Sequence, residues 1–198
     1  MPSKTKKRSI TSFELSRFLL LGMLLLCSSL AAKDSMILSD EFVAYHIGVA
    51  NEEIEDEEIF YLIEELVDGL NHAGTSNYSA KELINLIEEG HKIDPFNMAK
   101  LIALLKMANA SNNATWVIVT AIEHDSPITT DHMISLIETL AHANASNNAT
   151  TIILKAIEHG VPFGPKERLK LAEVSKIANA RSNVEKIRKA LHEREVNS

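Results

Sequence analysis

The octapeptide Ala108-Asn109-Ala110-Ser111-Asn112-Asn113-Ala114-Thr115 recurs unchanged at Ala143 through Thr150, 35 residues further on. Ala121-Ile122-Glu123-His124 recurs as Ala156-Ile157-Glu158-His159 at the same offset. One period back stand Ala73-Gly74-Thr75-Ser76-Asn77 and Leu86-Ile87-Glu88-Glu89-Gly90; one period forward stands Ala178-Asn179-Ala180-Arg181-Ser182-Asn183. Four turns in register at a fixed short period constrain the fold severely. A unit of this size cannot bury its apolar face alone and must stack on its neighbours.

Each unit reads as two helices. Pro127 breaks the chain and Thr129/Thr130 start helix A, where Met133, Leu136, Ile137 and Leu140 follow at i, i+3, i+4, i+7, a single apolar stripe. The segment Asn-Ala-Ser-Asn is expected to make the turn, because Asn and Ser bond local backbone. Helix B is expected from about Asn148 to His159, with Ile152, Ile153, Ala156 and Ile157 apolar and Gly160 and Pro162 ending it. Asp94 before Pro95 reads as an N-cap with Pro at the first helical position. Ser182 with Glu185, and Ser79 with Glu82, offer capping-box patterns. Residues 40–50 and 52–72 also look helical, the latter with a stripe of Ile59, Leu62, Ile63, Leu66, Val67 and Leu70.

The expected fold class is therefore all-α: an α-solenoid of four to five helix–turn–helix units, coiled as a right-handed superhelix. Residues 32–72 would form a degenerate first pair and 73–198 the regular array. Only 7 Gly and 5 Pro in 198 residues suit long helices.

Ahead of the array, a basic stretch from Lys4 to Arg17 precedes an apolar run, Phe18 to Cys27, and then Ser28-Ser29-Leu30-Ala31-Ala32. That order predicts a secretory signal peptide over 1–31, cleaved after Ala31 or Ala32. The run is about half the length a membrane-spanning helix needs, although an uncleaved anchor and a mitochondrial presequence remain alternatives. Cys27 would suit a lipoprotein signal better if the residue before it were small, and it is Leu26. Cys27 is the only cysteine, so cleavage leaves a chain without thiols whose stability rests on helix packing. The expected location is secreted or periplasmic, with membrane contact only through a retained leader.

Charge bears on the partner. The chain is formally −7, but the leader carries five of its basic residues and one acid, which leaves the mature chain near −11. Nucleic-acid binders usually carry the opposite sign, because affinity comes largely from neutralising phosphates. The charge is also polarised. Residues 40–68 hold eleven acids, including Glu52-Glu53-Ile54-Glu55-Asp56-Glu57-Glu58, and no Lys or Arg; residues 166–194 hold nine Lys and Arg against four Glu. Head-to-tail self-association at low salt is one expectation from this; ordinary solvated ends are the other.

The Leu101-Ile102 and Leu136-Ile137 pairs, followed by Ala108-Asn109 and Ala143-Asn144 and closed by Gly90 or Gly160 at a strict 35-residue period, resemble the pentatricopeptide repeat over roughly residues 75–195. The resemblance implies a helical-repeat fold and binding of single-stranded RNA, about one base per repeat. The base-reading position of that family lies two residues before the Leu-Ile pair. Here it holds Ala99, Ile134 and Leu169. These apolar side chains cannot hydrogen-bond a base edge. The chain is also similar to tetratricopeptide repeats, which have the same architecture at 34 residues and bind proteins or peptides. Ankyrin repeats begin with Thr-Pro-Leu-His, which is absent.

The function expected is an exported scaffold that binds a protein or peptide, with RNA binding as the alternative. No enzyme and no cofactor is expected, because no nucleophile, acid–base or phosphate motif is present. Candidate partner contacts are Trp116, Glu123, His124, Glu158 and His159. The Glu-His pairs have zinc-ligand chemistry, but no metal is expected: each His sits in the last turn of helix B, where the dipole favours partial positive charge, and the preceding repeat has Glu88-Glu89 and no His. Trp116 reads as half-buried core or as an interface anchor. His132 and His142 read as cap or surface residues. Asn77, Asn109, Asn113, Asn144 and Asn148 are N-glycosylation sequons, or else turn and cap residues multiplied by duplication.

Overall fold

The computed structural model describes residues 57–197. The leader, Cys27, the helix expected over 40–50 and Glu52–Asp56 lie outside these residues. These residues belong to one compact unit. Its elements are all helical. Residues 57–69 form α1. Then come α2 (Ser76–Glu88), α3 (Pro95–Leu104), α4 (Ser111–Glu123), α5 (Thr130–Thr139), α6 (Ser146–Glu158), α7 (Pro165–Val174), a 3-10 turn (Ala178–Ala180) and α8 (Arg181–Asn197). The described residues contain no strand.

Contacts run between alternate helices as well as successive ones. Helix α2 packs on α4, α4 on α6 and α6 on α8; α3 packs on α5 and α5 on α7; α3 meets α4, α5 meets α6 and α7 meets α8. The stripes read from the sequence form the core. Met133, Leu136, Ile137 and Leu140 are buried from α5, and Ile152, Ile153, Ala156 and Ile157 from α6. In the N-terminal helix, Ile63, Leu66, Val67 and Leu70 are buried, but Leu62 is exposed. Each fully buried aliphatic side chain contributes about 1.5–3 kcal/mol of transfer free energy.

Helices α3 and α5 start as expected. Asp94 caps α3, accepting from the backbone N–H of Phe96 at 2.8 Å and Asn97 at 3.1 Å, with Pro95 at the first position. Thr129 caps α5 in a reciprocal box: its hydroxyl accepts from the His132 N–H and His132 Nδ1 accepts from the Thr129 N–H.

The B helices differ from expectation, and the reason is physical. Helix α6 begins at Ser146, two residues before the expected Asn148, and the turn is Leu140–Ala145 rather than Asn-Ala-Ser-Asn. The turn's own carbonyls serve the first helical N–H groups: His142 O accepts from Ala145 N at 3.0 Å and Ser146 N at 2.8 Å. Met107 O does the same for Ala110 and Ser111. No side-chain cap is needed, and none is made at α2, α4 or α6. For the same reason the Ser79/Glu82 box does not form; Ser79 lies inside α2. Ser182 also lies inside a helix, since the 3-10 turn carries the chain straight into α8 at Arg181.

Candidate functional site

The freed Ser and Asn side chains join one helix pair to the next. Asn113 Nδ2 donates to Ser76 Oγ at 2.8 Å and to Asn77 Oδ1 at 2.9 Å. Asn148 Nδ2 donates to Ser111 Oγ at 2.7 Å and Asn112 Oδ1 at 3.2 Å. Asn183 Nδ2 donates to Ser146 Oγ at 2.8 Å and Asn147 Oδ1 at 3.1 Å. These three asparagines stand 35 residues apart and form identical rungs across α2, α4, α6 and α8.

The sequon asparagines thus divide by environment. Asn113 and Asn148 use both amide hydrogens in rungs. Asn109 Nδ2 donates to Asn71 O at 2.8 Å. Asn77 is exposed and accepts through its oxygen, and Asn144 is exposed and makes no side-chain hydrogen bond among the described residues. A sugar on the Asn113 or Asn148 nitrogen would replace one rung hydrogen; on Asn144 it would displace nothing.

The Glu-His pairs lie at the C-terminal ends of α4 and α6, with His124 and His159 as the C-cap residues. Lys155 joins the two carboxylates, at 2.8 Å from Glu123 and 3.2 Å from Glu158. The Lys155 hydrogen bond holds the Glu123 carboxyl below its usual range against the opposing effect of burial, and the charges of Lys155, His159 and His124 add to it. The same two carboxylates hold Lys155 above its usual range. The His124 carbonyl, at the end of α4, accepts from Lys92 Nζ. Arg194 serves α6 likewise, reaching Gly160 O and Val161 O, each at 3.0 Å. Trp116 is 50% exposed and takes no part in the buried cluster.

On the A helices the structure brings out residues that the search for polar motifs passed over. Ala99 is exposed on α3, Ile134 is half-buried on α5, and Leu169 is 65% exposed on α7. They occupy the same position in three successive, mutually packed helices. Phe96, Ala103 and Met107 extend the apolar surface along α3, and Ile177 extends it beyond α7; all four are exposed. Comparing positions 35 apart for surface apolarity would have found this column. Lys100 borders it, with its Nζ 5.0 Å from the Phe96 ring centroid and bonded to Glu64 at 3.0 Å and Asp68 at 2.9 Å. The Asp68 bond foremost, then that to Glu64, raises the Lys100 pKa.

Among the described residues no three His, Cys, Asp or Glu are grouped to hold a metal ion, and no helix is long and apolar enough to cross a membrane. No protein-family model matches the chain, and neither a curated protein nor a solved structure shows significant similarity to it.

Proposed function

We propose that the chain is an exported α-solenoid scaffold, wound as a right-handed superhelix, that binds a protein or peptide along its A helices. The observation that carries this reading is the apolar column Ala99–Ile134–Leu169, exposed at Ala99 and Leu169 and half-buried at Ile134, with exposed Phe96, Met107 and Ile177 near it in the chain. Apolar side chains that share one surface position in packed neighbouring helices offer a partner a place to dock. Aliphatic side chains there suit an apolar stretch of polypeptide better than a base edge, and the acidic charge disfavours a phosphate backbone. Trp116 and the Glu-His edge lie on the B helices and would contact a partner that wraps round to that layer.

A peptide-display selection on the intact chain tests this. Peptides with clustered apolar residues should be enriched, and the triple variant Ala99→Asp, Ile134→Asp, Leu169→Asp should lose them while keeping its helical circular dichroism. Enrichment unchanged by the triple variant would sink the assignment of the surface. Tight, salt-sensitive binding of mixed-sequence single-stranded RNA would favour the RNA-binding reading instead. Export is checked separately: N-terminal sequencing of protein recovered from its host should begin near Ala32 or Lys33.

A further inference from the structure

The outward side of α7 and α8 is chemically unlike that of any preceding pair. An open cleft there is lined by Arg168, Leu171, Arg188, Leu191, His192 and Glu195. One period earlier the Arg168, Arg188 and His192 positions hold Met133, Ile153 and Ile157, all buried under the next pair. Glu195 takes the charge of Arg168, and Lys170 is paired with Glu138 and Glu173. Arg188, together with exposed Lys166, Lys176, Arg181 and Lys186, has no acidic partner among the described residues. Arg188 is thus the uncompensated cation of a cleft floored by Leu171 and Leu191, and the other four lie on the same two helices and the turn between them.

We propose that this end receives the acidic stretch Glu52-Glu53-Ile54-Glu55-Asp56-Glu57-Glu58 of a second copy, so that the chain associates head to tail. The stretch carries six carboxylates in seven residues and lies in a region, 40–68, without a single Lys or Arg. Its one apolar side chain, Ile54, matches the leucine floor. Donor and acceptor are different surfaces of the chain, so the contact is heterologous and propagates instead of closing as a two-fold dimer. Complementary charge of this kind speeds encounter and fixes orientation, and salt weakens it.

Light scattering on the full chain over a range of concentrations tests the proposal at about 0.01 M and about 1 M salt, where the Debye length is about 30 Å and about 3 Å. The average mass should rise with concentration at low salt and return to the monomer at high salt. The variant Lys166→Glu/Arg188→Glu should weaken association at least about tenfold, as should Glu57→Lys/Glu58→Lys, each change being on an exposed residue. Mixed together the two variants should associate again, because the intact acidic stretch of the first meets the intact basic end of the second. Recovery on mixing also shows that both are folded. A monomer at every concentration in low salt, a mass indifferent to salt, or two variants that stay apart when mixed would each overturn it.

Discussion

The inner helix pairs, α3/α4 and α5/α6, and the last pair, α7/α8, occupy the same register, yet they treat their two sides differently. Toward the preceding pair they agree: Leu101, Leu136 and Leu171 are buried alike, as are Val117, Ile152 and Ile187, and the Asn rung repeats at 113, 148 and 183. Away from it they part. Met98 and Met133 become Arg168, Ile118 and Ile153 become Arg188, Ile122 and Ile157 become His192, and Leu105 and Leu140 become Ser175. The lesson is that each pair is specified by its backward face, while the forward face decides whether stacking continues. A polar forward face is what the end unit of a stacked array needs for solubility.

The largest effect expected is from moving that polarity inward. Ile153→Arg places a guanidinium where the side chain is completely buried, and should cost about 4 kcal/mol or more, the range of an unpaired buried charge. Arg188→Ile, the reciprocal change at an exposed site, should stay within about 0.5 kcal/mol. Urea unfolding of both variants decides the matter; equal costs would dissolve the distinction between the faces.

The rungs should show the opposite pattern, with inner and last pairs alike. Asn148→Ala removes two hydrogen bonds and leaves the oxygen of buried Ser111 without its donor, a loss of about 1–2 kcal/mol. Asn183→Ala should cost at least as much, since Asn183 is the more buried. A negligible cost at Asn183, measured by the same unfolding assay, would mean that α8 does not sit on α6 as α6 sits on α4.

How much of this could be read from the sequence depended on the range of each interaction. The helix A stripe, the Thr129 and Asp94 starts and the glycine stop at 160 are local, and local patterns announce them. The start of helix B is not local. Ser146, Asn147 and Asn148 have the composition of a turn, but their side chains bond neighbouring pairs some 36–37 positions away, which no propensity records. The Ser182/Glu185 pattern misled for the converse reason, because a 3-10 turn fed the helix before a cap was needed. Of the surfaces, the charge polarity was legible at once. The apolar column was visible only as a departure from the residues of the family that the repeat resembles.

A buried polar column also varies from pair to pair, with Asn97, His132 and Glu167 at equivalent places near the starts of α3, α5 and α7. Burial lowers the His132 pKa, opposed by the bond between Nε2 and Pro95 O at 2.9 Å and by the charge of Asp131. The folded state therefore resists protonation more than the unfolded chain does. Above the unfolded value of about 6.5 both are neutral and nothing is lost; stability falls as pH drops from there through the lower folded value. His132→Gln keeps a capping-box residue at this position and removes the titration. Thermal melts should show the loss on acidification shrinking in the variant, while a slope unchanged between neutral pH and the carboxylate range would assign it to other groups.

The smallest effect concerns how each B helix ends. The residue after the C-cap in α4 and α6, and its counterpart beyond α2, recurs at the same period as Gly90, Asp125 and Gly160, with φ of 104°, 60° and 80°. Left-handed backbone of this kind suits glycine because a Cβ crowds the following carbonyl, at a cost of roughly 1 kcal/mol or a little more. Two of the three positions obey that rule. Asp125 is the exception, and its N–H still makes the helix-ending bond to Ile122 O at 3.1 Å, as Gly160 does to Ile157 O. Its side chain is exposed and forms no ion pair among the described residues, so little is gained there to offset the strain. Asp125→Gly should therefore stabilise the chain, by about 0.5 kcal/mol once the extra freedom of glycine in the unfolded state is set against the relief. Gly90→Ala should destabilise it by about 1 kcal/mol, and because open space surrounds that position the loss isolates backbone strain from any clash. If melting temperatures moved in the same direction for both variants, the three turns would not be equivalent, and the period that organises the chain would not extend to its helix ends.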